Sequence, residues 1–176
     1  MIATKPWIVV TALTITFLGL NAVNRAGDDI LPARPARGDG GLLLYLHAEK
    51  ERYRRGEPVF VDAELYNEGD DTKKLNVVLA PPGRVLRLTI EDPSGVVTDR
   101  SNILVAADEH PDDFLSLAPG LYVGMRIDLA HFYTIKSPGR YKIQAVYLNT
   151  KSGTQFGSPA AWQGRLASNR IEIDVD

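Results

Sequence analysis

From Leu42 onward, apolar and polar residues alternate with a period of two, the spacing of a strand with one face in a core and one in water. In Pro58-Val-Phe-Val-Asp-Ala-Glu-Leu-Tyr-Asn67, the residues Val59, Val61, Ala63 and Leu65 share one face, with Asp62 and Glu64 on the other. Val85–Ile90 repeats the pattern with Leu86, Leu88 and Ile90 inward. Leu121, Val123, Met125, Ile127 and Leu129 alternate with Tyr122, Arg126 and Asp128. Tyr141, Ile143, Ala145 and Tyr147 alternate with Lys142 and Gln144, and the chain closes on Ile171, Ile173 and Val175 against Glu172, Asp174 and Asp176. Glu68-Gly69-Asp70-Asp71 and Asp92-Pro93-Ser94-Gly95 carry the turn chemistry that joins antiparallel strands. With Leu42–Ala48, Leu75–Leu79 and weaker pieces near Val96 and Phe114, about seven to nine short strands are expected and no long helical stripe. The prediction is an all-β, immunoglobulin-like antiparallel β-sandwich.

Two aromatic residues sharpen that prediction. Tyr141 follows the Pro138-Gly139 turn at the head of a strongly alternating strand, the place of a tyrosine corner, whose hydroxyl bonds backbone at the preceding crossover. Trp162 falls in Ala160–Asn169, read as the last connection, where a large ring is expected to plug the end of the sandwich, the alternative being an exposed ligand platform.

The first 40 residues have a different character. Lys5 precedes the apolar run Trp7–Leu20, and Asn21-Ala22 closes it, the layout of an export signal cleaved after Ala22. The rival is an uncleaved membrane anchor, for which the run, interrupted by Thr11, Thr14 and Thr16, is short. Residues 1–22 are therefore expected to be a signal peptide and 23–40 a flexible linker rich in Arg, Pro, Gly and Asp; 41–176 form the sandwich. Both readings place the sandwich outside the cytoplasm, periplasmic or secreted, with membrane contact only through an uncleaved N-terminal segment. The tripeptide Arg37-Gly38-Asp39 is a chance match in such a linker.

Composition narrows the function classes. The chain of 176 residues carries 20 Lys plus Arg against 22 Asp plus Glu, a net charge of -2, which gives no field to gather nucleic acid. It has no cysteine, which removes disulfides, thiolate metal ligands, a cysteine nucleophile and a lipoprotein anchor together.

Candidate chemistry is sparse. His47, His110 and His131 are isolated in sequence, whereas a zinc site ordinarily shows at least one close ligand pair. The chain has no Gly-x-Ser-x-Gly elbow and no phosphate-cradling glycine loop. Asp108-Glu-His-Pro-Asp-Asp113 clusters carboxylates but lacks the spacing of a calcium loop, so it is expected to be a solvated crossover. Lys50-Glu-Arg-Tyr-Arg-Arg55 is basic, yet Glu49, Glu51 and Glu57 blunt its charge, and a solvated turn is expected there as well.

A resemblance adds to this reading. Tyr53-x-x-Gly56-Glu-Pro-Val59, Leu65-Tyr-Asn67-Glu-Gly69, Leu117-x-Pro-Gly120, Asp128-Leu129, Tyr133-x-Ile135, Pro138-Gly-x-Tyr141 and Trp162-x-Gly-x-Leu166-x-Ser168-Asn169 together resemble exported bacterial Ig-like domains. The chain is similar to the non-catalytic N-terminal domain of deuterolysin-like lysine-directed metalloendopeptidases, and less closely to bacterial proteinase-inhibitor Ig-like domains. The matching positions are strand and turn residues, so the resemblance implies structural roles only. The protease module with its His-Glu-x-x-His helix is absent from these residues.

The expectation is an exported binding, adaptor or structural module that is not an enzyme and has no catalytic, cofactor-binding or metal-ligating residue. Its expected partner is a protein or a cell-envelope polymer, met through loops or a strand edge. Two alternatives belong to other classes. One is a proteinase inhibitor that inserts Val105–Leu115 into a protease cleft; the other is a small hydrolase in which His47, His110 and His131 meet.

Overall fold

The computed structural model describes residues 40–79, 85–99, 110–131, 133–156 and 160–176, except for the side chains of Asp99 and His131. The expected signal peptide, all of the linker but Gly40, the Arg37-Gly38-Asp39 tripeptide and Val105–Glu109 lie outside the described residues. The strands are β1 (Leu42–Ala48), β2 (Arg52–Tyr53), β3 (Phe60–Asn67), β4 (Lys73–Asn76) and β5 (Leu86–Glu91), then β6 (Val97–Asp99), β7 (Phe114–Leu117), β8 (Tyr122–Asp128), β9 (Gly139–Asn149) and β10 (Gly164–Val175). Among the described residues, only short 3-10 turns interrupt them, at Pro111–Asp113, Leu129–His131 and Thr154–Phe156.

The alternation read from the sequence becomes two facing layers. One sheet has the order β1-β3-β8; the other has the order β2-β10-β9-β5-β6, and β4 pairs with β7 as a separate ribbon. Every pairing is antiparallel except β2 with β10. Leu42, Leu44 and Leu46 of β1, Val61, Ala63 and Leu65 of β3, and Val123 and Ile127 of β8 face one side of the core. Leu86, Leu88, Ile90, Ile143, Ala145 and Ile173 close it from the other sheet. Truncating one such leucine to alanine costs about 2–5 kcal/mol, which is why the inward set tolerates only apolar residues. The chain is thus an all-β, immunoglobulin-like antiparallel sandwich, with the first strand pair divided between the sheets. Leaving out the two-residue β2 and three-residue β6, the remaining strands fall inside the expected number.

The tyrosine corner forms. Tyr141 is 1% exposed; its hydroxyl donates to the Ser137 carbonyl at 2.7 Å and accepts from the Ser137 N–H at 3.2 Å, fixing the crossover into β9. Deeper in the same strand, the Tyr147 hydroxyl donates to the Asn76 carbonyl at 2.9 Å, and burial pushes its phenol well above the ordinary value. Trp162 packs half-buried against the core, its ring 6.0 Å from that of Tyr147, as a plug would.

Two stretches differ from expectation. Lys50–Arg55, expected to be a solvated turn, contains β2, and Tyr53 enters the core at 3% exposed because its strand adds to β10. Ala160–Asn169, expected to be a connection, is already strand from Gly164, so β10 runs twelve residues. The register shifts between Ala167 and Arg170, and Ser168 and Asn169 are both buried there. This bulge moves the inward positions from Leu166 and Ser168 to Ile173 and Val175, an even set becoming an odd one, which hides the strand from a period-two reading.

Candidate functional site

The outer face of the β1-β3-β8 sheet carries an aromatic row. Residues facing away from the core in β1, β3 and β8 fall on common cross-strand lines: Tyr45 lies opposite Glu64 and Glu64 opposite Gly124, while Tyr66 lies opposite Tyr122. Tyr66 and Tyr122 stack with centroids 4.8 Å apart, and Tyr45 meets Tyr66 edge-on at 5.3 Å. The His47 ring lies stacked against Tyr45 at 6.1 Å. Neighbouring strands bring such side chains within reach, and the rings gain beyond their area burial when offset or edge-to-face.

Acidic groups hold the row. Glu64 bonds the Tyr66 hydroxyl and lies 3.4 Å from His47 Nε2. Half-burial of the ring, the nearby Glu64 charge and that hydrogen bond together push the Tyr66 phenol up to about 12. Beside it the Arg126 guanidinium lies over the Phe60 ring, 4.9 Å from its centroid, and pairs with Glu49. Among the described residues of β1, β3, β8 and Glu49 beside them, Glu49, Asp62, Glu64 and Asp128 stand against the guanidinium of Arg126, which makes this face acidic.

The residues singled out by sequence are dispersed. His47 sits on the outer sheet face; His110 caps the Pro111–Asp113 turn, its Nδ1 accepting the Asp112 N–H at 3.4 Å. The His131 side chain lies outside the described residues. Among the described residues no three His, Asp or Glu side chains gather as metal ligands would. Of the acidic run, Asp108 and Glu109 lie outside the described residues, while Asp113 accepts the His110 N–H at 2.9 Å to complete a capping box. In the basic stretch, Lys50 pairs with Glu57, whose carboxylate this partner and the Arg54 N–H hold below its usual range.

Apart from the outer face of the β1-β3-β8 sheet, a concavity of about 240 Å³ opens at one end of the sandwich, between the turn before β3 and the crossover after β8. Arg54, Pro58, Asp128, Tyr133, Ile135 and Val175 line it, mostly with apolar atoms. No helix among the described residues is long and apolar enough to cross a membrane.

No expectation drawn from the sequence singled out Tyr45, Tyr66 and Tyr122 as a group. The signal was present, since each stands one position out of phase with the inward residues of its strand. The pairing that aligns strands from three distant segments was not.

No family model matches the chain, and no curated protein matches it. Among solved structures it is similar to the CARDB domain of a Pyrococcus furiosus protein in complex with di-metal ions, at 12% identity over 81% of this chain and 94% of that one, with a TM-score of 0.39. It is similar to a β-glucosidase of Erythrobacter marinus at 15% identity, covering 77% of this chain but only 15% of that enzyme, with a TM-score of 0.40. It is also similar to the Pseudomonas fluorescens alkylpurine DNA glycosylase AlkC at 13% identity, over 76% of this chain and 30% of that one, TM-score 0.38. Likeness of this extent carries neither ligand nor activity across.

Proposed function

We propose that the chain is a non-catalytic binding module working outside the cytoplasm, and that it takes an extended, cationic segment of a partner protein on the outer face of its β1-β3-β8 sheet. The observation that carries this reading is the row Tyr45, Tyr66 and Tyr122 with Glu64 beneath it. Tyrosines fixed by one another supply rigid, amphipathic contact area at little cost in side-chain entropy. Lys or Arg side chains gain from ring faces and from carboxylates, and the face has an excess of the latter. The rings stand side by side and present edges and hydroxyls, which suits a polypeptide better than the flat stacking a sugar ring needs. Location outside the cytoplasm rests on the apolar run Trp7–Leu20, and a protein partner agrees with the resemblance to exported Ig-like domains that accompany metalloendopeptidases.

Calorimetric titration with extended Lys- and Arg-bearing peptides, Glu-bearing peptides of equal length and soluble envelope polysaccharide tests the reading. The cationic peptides are expected to bind and the acidic ones not, with Tyr66→Ala weakening binding by about tenfold or more, as removal of a hot-spot ring does. Absence of cationic-peptide binding, or binding indifferent to Tyr66→Ala, overturns it. Polysaccharide binding lost in Tyr66→Ala would assign the face to an envelope polymer instead.

A further inference from the structure

Three of the four edges of the two main sheets are blunted. At β1, the outward amide and carbonyl of Leu46 are both taken by the Asn169 side chain. At the second sheet, β2 is two residues long and β6 three. The fourth edge, β8, is seven residues long, with no proline, no bulge and no charge among its inward residues Val123, Met125 and Ile127. Soluble proteins ordinarily protect such an edge with one of these devices.

The backbone phase shows which groups the edge offers. The Asn67 N–H donates to the Leu121 carbonyl and the Leu129 N–H to the Val59 carbonyl. Odd-numbered residues of β8 therefore bond β3, and the N–H and C=O of Tyr122, Gly124 and Arg126 point outward without a partner among the described residues. Tyr122 uses one ring face on Tyr66 of β3, which leaves the other turned toward the open edge.

We infer that β8 pairs antiparallel with β8 of a second copy about a two-fold axis through Gly124, joining two three-stranded sheets into one of six strands. In this register Gly124 meets Gly124 of the second copy, while Tyr122 and Arg126 each meet the other residue across the axis. The guanidinium, which within its own chain lies over Phe60 and pairs with Glu49, turns across the axis onto the free ring face of Tyr122, and Val123 and Met125 meet on the core side. Shifting the pairing by two residues toward Arg126 sets the two guanidiniums diagonally adjacent, a like-charge contact that disfavours it. An isologous contact of this kind closes after two copies and leaves no further open edge. The inference is independent of the cationic-ligand reading, because it rests on backbone groups and on the spacing of Tyr122 and Arg126.

Sedimentation of the full-length chain is expected to show a dimer, and Arg126→Pro a folded monomer that melts somewhat lower, having lost the dimer contact and the Arg126 pairings. The Arg126 N–H takes no part in the ladder to β3, so of the backbone bonds proline removes only the outward donor, together with the exposed side-chain contacts to Phe60 and Glu49. Because the chain has no cysteine, a single introduced thiol reports the register. Opposed residues of a hydrogen-bonded antiparallel pair lie at disulfide distance, so Gly124→Cys is expected to cross-link at least about tenfold faster than Val96→Cys on the exposed β5–β6 turn. A monomeric wild-type chain, a dimer that survives Arg126→Pro in a folded variant, or equal cross-linking at the two cysteines overturns the inference. If Arg126→Pro does not fold, the cysteine comparison decides by itself. Cationic-peptide binding by a chain that stays monomeric would sink the dimer and leave the proposed function standing.

Discussion

The side-chain amide of Asn169 pairs with Leu46 as another strand would, accepting its N–H at 2.9 Å and donating to its carbonyl at 2.9 Å. The amide sits at the β10 bulge, is 5% exposed, and ties the edge of one sheet to the interior of the other.

Asn169→Leu keeps the branching of the side chain but not its hydrogen-bonding ends, and orphans both backbone groups of Leu46. A loss of about 2–6 kcal/mol is expected, since each of the two unsatisfied buried groups costs about 1–3 kcal/mol. Urea denaturation reads it as a lower midpoint at unchanged slope. Asn169→Asp restores the donor only when protonated, so that variant should gain stability as pH falls through the carboxyl's burial-raised pKa.

Tyr141→Phe removes the hydroxyl that both donates to and accepts from Ser137 while leaving the ring in the core. A loss of about 1–2 kcal/mol is expected from denaturation, the range for one or two net hydrogen bonds. Cationic-peptide binding should be unchanged, because Tyr141 faces the core and not the tyrosine row.

The Tyr66 phenol, raised to about 12, should remain protonated where an ordinary tyrosine has ionised. A phenol whose folded pKa lies above its unfolded one contributes stability that is complete below about pH 10 and lost as pH rises toward about 12. Ultraviolet titration of wild type against Tyr66→Phe isolates this step. Glu64→Gln should bring it to lower pH without abolishing the shift, because desolvation, the largest cause, remains.

Gly41 and Gly120 both have positive φ, +81° and +75°. A Cβ at Gly41 would lie 2.6 Å from the Gly69 backbone, whereas at Gly120 nothing stands within 4 Å. Gly120→Ala should therefore cost only the backbone strain, about 1 kcal/mol, and Gly41→Ala markedly more, because the entry to β1 must move away from the turn after β3. Paired thermal melts of the two variants test the difference.

The sandwich was legible because β3, β5, β8 and β9 are half-buried, and one wet face against one dry face leaves a clean period of two. Tyr141 was legible because a Pro-Gly turn fixed its place at the head of a strand. The first half of β10 was not. Its bulge reverses the parity of the inward residues, and the Ser168 and Asn169 buried there have the composition of a turn. β2 was hidden for another reason: Tyr53 is flanked by charges that the strand keeps in solvent, so nothing local shows that it docks on β10, more than a hundred residues away. The tyrosine row needed the pairing of β1, β3 and β8, which is settled by the core as a whole and not by any one segment.

The parallel contact of β2 with β10 carries one more consequence. The Asp174 N–H donates to the Glu51 carbonyl at 2.8 Å, the Asp176 N–H to the Tyr53 carbonyl at 3.0 Å, and the Arg55 N–H to the Asp176 carbonyl at 3.1 Å. Tension that reaches β2 from the N-terminal side, with Asp176 held, would load these three bonds in shear, all at once, and not peel them one by one. A domain fastened on its N-terminal side and pulled from the other end would hold as a mechanical clamp, in which β1 and its Asn169 tie are loaded first and the β2–β10 contact bears the tension once β1 has let go.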